Sequence, residues 1–230
     1  MTEVAKTNFH NTQYFRKNNS SVDFKYICIR KEFFDVSMVS LNYKDLKKNN
    51  HIEIIYKSPS AFLEGLFFKT PKIKSQYISI IHKENNFNNI ILKLSLNYHE
   101  HSQFINILRQ IDEHLSSNLY NSAKDIEHVM LKQDNSETVE QTIQPLQPLQ
   151  SSPKPLSLQS YRYEQLIRFK NHGETIEMTM KSYLDTDMVH ELEKKMSNTA
   201  YILTFNISNI FLGNQSYMPL IKCNRCEKVI

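Results

Sequence analysis

Tryptophan is absent from the 230 residues, glycine occurs only at Gly65, Gly173 and Gly213, and cysteine only at Cys28, Cys223 and Cys226. Loops that cradle phosphate through bare backbone amides need clustered glycines, which argues against a P-loop or Rossmann nucleotide enzyme. No Gly-x-Ser-x-Gly elbow is present, and no serine or cysteine can be given a base from spacing, so no catalytic residue is predicted and the chain is read as a non-enzyme. An odd number of cysteines offers no disulfide framework and points to a reducing compartment. Apolar runs stop short of membrane-spanning length, and the N-terminus lacks the apolar core of a signal peptide, so neither secretion nor membrane insertion is expected.

Metal ligation is equally poorly supplied. Cys223-Asn224-Arg225-Cys226 has the spacing of half a zinc knuckle, but no second Cys-x-x-Cys exists, and these thiols are read as part of the last strand. Tyr98-His99-Glu100-His101 lacks the four-residue histidine spacing of a metalloprotease helix and reads as a solvated helix start. Asp185 and Asp187 are assigned to capping the helix that follows, with Asp187 as the N-cap.

What is present is 40% hydrophobic and 11% aromatic residues, enough for a core, under a mild positive charge of +4. The charge is unevenly spread. Residues 1–100 hold 15 Lys/Arg against 9 Asp/Glu, residues 101–140 hold 3 against 7, and residues 141–230 hold 10 against 8. A basic first part followed by an acidic helical segment suggests one charged face.

Residues 1–21 are polar and read as a flexible arm. Short β-type runs follow at 24–29, 33–41, 52–56, 62–68, 77–81 and 90–96, the last alternating Ile90, Leu92, Leu94 and Leu96 on one face. The polar stretch 82–89 reads as a hairpin turn. Phe104, Ile107, Leu108, Ile111 and Leu115 then recur at helical spacing, predicting an amphipathic helix over about 100–119, with a further turn or two over 123–131. Residues 133–160 are rich in Gln, Pro and Ser and predict a disordered linker between 22–132 and 161–230. Beyond it come a hairpin turning at Asn171-His172-Gly173, a helix over 185–196, and a long closing hairpin turning at Gly213-Asn214. Because 161–230 is short for a core of its own, both parts are expected to complete one mainly-β fold, an OB-like barrel with an inserted helix.

Basic and aromatic side chains interleave repeatedly. Lys69, Lys72, Lys74 and Tyr77 surround the Thr70-Pro71 break, and Lys93 sits on the polar face of 90–96. Arg162 and Arg168 follow the linker, while Phe211 and Tyr217 flank the Gly213 turn, with Lys222 and Arg225 after it. Lysines also protect exposed strand edges. Their repetition beside rings is what a surface needs to track a sugar-phosphate backbone while stacking bases.

The order of segments resembles the OB-fold single-stranded DNA-binding proteins of large nucleocytoplasmic DNA viruses, relatives of a phage replication-type binding protein. The resemblance rests on Phe67-Phe68-Lys69-Thr70-Pro71-Lys72, the alternating strand 90–96 and the helix pattern from Phe104 to Asp112. It extends to the closing strand Ile210-Phe211-Leu212-Gly213 with the strand after it. Phe211 stands where that family commonly has Trp. The resemblance implies binding of single-stranded DNA in viral replication, repair or recombination, without a cofactor, in the host cytoplasm (viral factory) or nucleus. It also implies contact with viral replication proteins and allows a homo-oligomer. Since the chain ends Glu227-Lys228-Val229-Ile230, without an acidic tail, partner recruitment is assigned to the acidic stretch 112–140. The alternatives are a viral protein-interaction or scaffold module and, third, a zinc-dependent nucleic-acid factor.

Overall fold

A computed structural model describes residues 12–14, 27–44, 46, 50–58, 61–82, 90–134, 158, 161–196, 199–213 and 215–229. Its strands are β1 (Thr12–Tyr14), β2 (Ile27–Ile29), β3 (Val39–Asn42), β4 (His51–Ser58), β5 (Ala61–Glu64), β6 (Leu66–Lys69) and β7 (Ile73–Lys74). They continue as β8 (Ile78–His82), β9 (Ile90–Asn97), β10 (Arg162–Tyr163), β11 (Ile167–Lys170), β12 (Thr175–Ser182), β13 (Ala200–Gly213) and β14 (Ser216–Val229). Among the described residues the helices α1 (Ser102–Asp134) and α2 (Thr186–Glu193) accompany them. Most of the predicted polar arm, the 82–89 turn from residue 83 on, and nearly all of the predicted linker lie outside the described residues.

Twelve strands form one mixed sheet, seven along the path β3-β4-β13-β14-β12-β9-β8 and five (β5, β6, β7, β10 and β11) paired beside it, and β1 pairs with β2 separately. The path has two ends, β3 and β8, and does not close into the barrel that the sequence suggested. Along that path the strands from after residue 160, β13-β14-β12, lie between two sets from before residue 135.

The β13–β14 hairpin is its spine. One edge of β13 is served in turn by β7 at Ala200–Tyr201, β6 at Thr204–Ile207 and β4 at Asn209–Phe211. The handover from β4 to β13 happens at Gly65, which splits the predicted run 62–68 into β5 and β6. Its φ of +103° suits only glycine, and an added Cβ would lie 3.2 Å from both Ile207 O and Ser208 Cα. Ser208 is itself passed over in the β13–β14 register, so the bulge and the glycine turn the same corner. The Thr70-Pro71 break has a comparable logic. Proline cannot donate to a ladder, and Thr70 supplies the last bonds before it: its N–H donates to Leu203 O, and its hydroxyl accepts from Leu203 N at 3.0 Å.

On the other flank, β14 and β12 run parallel and meet only at Lys222–Cys223 with Lys181–Ser182. Beyond that contact they diverge, and the wedge is filled by β10 against β14 and β11 against β12. The segment 162–170 therefore bridges two strands that would otherwise part.

Helix α1 runs unbroken for 33 residues, joining the two helical stretches predicted separately. Phe104, Leu108, Ile111, Leu115, Leu119, Ala123 and Ile126 are all buried and form one core with Leu92, Leu94, Met178, Phe205 and Ile207. His114 Nε2 lies 2.9 Å from Val39 O, tying α1 to the edge strand β3. In the other direction Asp112 is buried, accepting from Leu166 N at 2.9 Å and from the Tyr163 hydroxyl at 3.0 Å. Leu158, inside the predicted linker, is buried in the same core.

Two local predictions are corrected. Residues 33–38 do not form a strand; they belong to two 3₁₀ turns, the second held by Asp35, whose carboxylate accepts from both Ser37 N and Ser37 Oγ. Strand structure begins only at Val39. The N-cap of α2 is Asp185, accepting from Met188 N at 2.8 Å, and Asp187 lies in the first turn.

Candidate nucleic-acid interface

Side chains alternate between the two faces of a strand, and cross-strand partners share a face. Phe205, Ile207 and Ile210 of β13 belong to the core beside α1. The outer face therefore takes Thr204, Asn206 and Phe211, and pairing carries that face across the sheet. Lys69 and Arg225 lie in the row of Thr204, and Phe67 and Lys222 in the row of Asn206. His51 and Met218 flank Phe211, with the His51 and Phe211 rings 5.8 Å apart. Lys74 faces Ala200, two positions from Ile202 on the same side.

Through the parallel contact, Lys222 pairs with Lys181, which continues the row to Ile91 and Ile81. Lys93 sits between Thr179 and Ser79, and Glu177 between Arg168 and Ser95. Arg162 pairs with Ser216 on that side. Eight of the eleven sequence-predicted residues thus share the outer face: Lys69, Lys74, Lys93, Arg162, Arg168, Phe211, Lys222 and Arg225.

The other three lie elsewhere. Lys72 is exposed in the link between β6 and β7, and Tyr77, 44% exposed, ends a 3₁₀ turn at the start of β8. Tyr217 does not fit base stacking. It points into the core at 2% exposure, its hydroxyl donating to Leu158 O and its ring 5.6 Å from that of Tyr161. Alternation explains the difference: Leu212 and Tyr217 pair on the inward side, whereas Phe211 and Met218 pair outward.

Most of the outer cations are organised around three glutamates. Glu227 Oε1 is 3.2 Å from Lys69 Nζ and 3.4 Å from Arg225 Nε. Glu177 is 2.7 Å from Lys93 Nζ and 3.8 Å from Lys170 Nζ. Glu164 is 3.2 Å from Arg168 and 3.9 Å from Arg162. The hydrogen bond from Lys93 is the main reason the Glu177 carboxyl titrates below its ordinary value. Around the wedge, Arg168, Glu164 and Gln165 border two adjoining hollows, one reaching Asp112 and the other Lys93, Glu177 and Met218.

Lys181 and Lys222 differ. Neither has a carboxylate within ion-pair distance among the described residues; instead their ammonium groups stand 5.4 and 5.9 Å from the ring of Tyr183. Tyr183 is 51% exposed, and its N–H donates to Cys223 O at 2.8 Å, which fixes its backbone where β12 leaves β14. Lys181 and Tyr183 are absent from the sequence-predicted set. The signal is present in the sequence, since a cation and a ring two residues apart in extended chain share a face.

Burial raises the thiol pKa of Cys28 and Cys226 to about 12 and that of Cys223 further still, which disfavours the thiolate as a nucleophile. Among the described residues no three His, Cys, Asp or Glu side chains gather as metal ligands. No helix of the described residues is long and apolar enough to cross a membrane. Compared with known proteins, the chain matches no protein-family model and no curated protein sequence.

Proposed function

We propose that the protein binds single-stranded DNA as a non-enzymatic, OB-like module of viral DNA replication, repair or recombination. It would work in the host cytoplasm or nucleus beside other replication proteins. The observation that carries this reading is the Lys181–Tyr183–Lys222 cluster, a half-exposed ring between two cations that have no carboxylate partner among the described residues, on a sheet face lined with further basic groups. A ring supplies stacking that any base can use, and the cations supply phosphate neutralisation. An open strand surface suits a polymer better than a small metabolite, which would call for an enclosed pocket.

The test is fluorescence anisotropy with a labelled oligonucleotide of about 30 bases. Tyr183→Ala is expected to weaken binding about fivefold to a hundredfold, corresponding to about 1–3 kcal/mol for one stacked base. Lys222→Glu is expected to weaken it as well, with both variants melting as the parent does. Unchanged affinity in both would contradict the proposal. A protein-interaction module is the second reading, favoured by Tyr120, a ring 64% exposed on α1 away from the sheet face. It calls for a specific partner in pull-down and no oligonucleotide binding.

A further inference from the structure

Three times on one sheet face, a single carboxylate lies between two cations: Glu227 with Lys69 and Arg225, Glu177 with Lys93 and Lys170, and Glu164 with Arg168 and Arg162. The Glu164 triad is local to residues 162–168, whereas the other two join different strands. Lys69 and Glu227 are 158 residues apart and meet only because β13 lies between their strands. The three carboxylates keep 24–33% of their side-chain surface, so they remain in contact with solvent. In each triad one cation stands 2.7–3.2 Å from the carboxylate and the other 3.4–3.9 Å, two positive charges against one negative among the three side chains.

Resting on the reading of this face as a single-stranded DNA surface, we propose that the three glutamates occupy phosphate positions in the free protein. Binding then proceeds by exchange: a DNA phosphate takes each carboxylate's place between its two cations. No bond is made or broken in the exchange, and each displaced glutamate returns to water. The cations are pre-positioned, which lowers the ordering cost of binding, while competition from the carboxylate lowers affinity for any polyanion. Among the described residues the Lys181–Tyr183–Lys222 cluster carries no such competitor, so it is the entry point, and the triads engage after it. A strand that can stack on Tyr183 overcomes the competition; a duplex, with its bases enclosed, does not. The glutamates thereby favour single strands over duplex.

The experiment measures affinity of the full chain for a single-stranded oligonucleotide and for the matching duplex, across a range of salt. The variants are Glu164→Gln, Glu177→Gln and Glu227→Gln, singly and together. Glu100→Gln, exposed at the approach to α1, is the control with the same change in charge. Each triad variant is expected to bind single strands about twofold to fivefold tighter, the scale of a surface ion pair. The log-log salt slope for single strands should stay that of the parent, because the same phosphates are engaged in both, and the triple variant should lose preference against duplex. Glu100→Gln is expected to change neither quantity.

Triad variants that bind no tighter than Glu100→Gln, while the parent binds and Tyr183→Ala weakens it, would overturn the exchange and leave the DNA reading standing. Weaker binding with an unchanged melting temperature would overturn it too, by making the glutamates purely organising. A parent that binds no single-stranded DNA removes the underlying reading itself. Thermal melting of every variant separates loss of fold from loss of binding.

Discussion

Asp112 shows how one residue can carry opposite roles in sequence and in structure. In the sequence it opens the acidic stretch assigned to partner recruitment; in the fold it is 6% exposed and holds the returning chain by accepting from Leu166 N and Tyr163. Burial raises its pKa from the usual 3.8 to about 6, against the lowering effect of those hydrogen bonds. A carboxyl whose folded value lies above its unfolded one contributes stability that is full below about pH 4 and lost as pH rises through about 6. Asp112→Asn keeps an acceptor oxygen without the titration. Between pH 4 and pH 7 its stability relative to the parent should therefore rise, by on the order of 3 kcal/mol at most. Urea denaturation at a series of pH values measures this, and a constant difference would refute it. At the same scale, Thr70→Val removes the hydroxyl that accepts from Leu203 N and leaves that buried donor unpaired, with an expected loss of about 1–3 kcal/mol in denaturation.

Among the elements, the closing hairpin and α1 were readable in the sequence because their signals are local. Gly213-Asn214 falls between two long β-type runs, and the apolar stripe of α1 repeats within each turn. The 3₁₀ turns at 31–38 were not readable, since Phe33, Phe34, Val36 and Met38 have strand-like composition while a local carboxylate, Asp35, decides the backbone. Strand order was equally hidden. The meeting of β12 with β14 is a parallel contact of two residue pairs some 40 positions apart, and no local pattern announces it. Because that contact brings Lys181 and Tyr183 to Lys222, the cluster at the heart of the candidate interface escaped the sequence while the more obvious lysines did not. Gly65 offers the sharpest element-level test. Gly65→Ala forces a side chain into a positive φ and against Ser208, so a loss of about 1–3 kcal/mol is expected, measured by chemical denaturation. Loss within experimental error would mean the β5–β6 corner adjusts freely.

For the whole molecule, one long helix packs on one side of a mixed sheet, and the opposite side carries rows of cations and rings around the buried Thr204 and Asn206. The modest net charge of +4 conceals this arrangement, because acidic and basic side chains share the same face in ordered triads. Interaction through phosphate is governed by the number of cations that reach the backbone and should depend steeply on salt. The most direct measurement is a salt titration of anisotropy on matched single- and double-stranded oligonucleotides. Tighter binding to the single strand, with a log-log slope of about −0.7 for each phosphate neutralised, is the expected result. A flat salt response, or equal affinity for the duplex, would contradict the account.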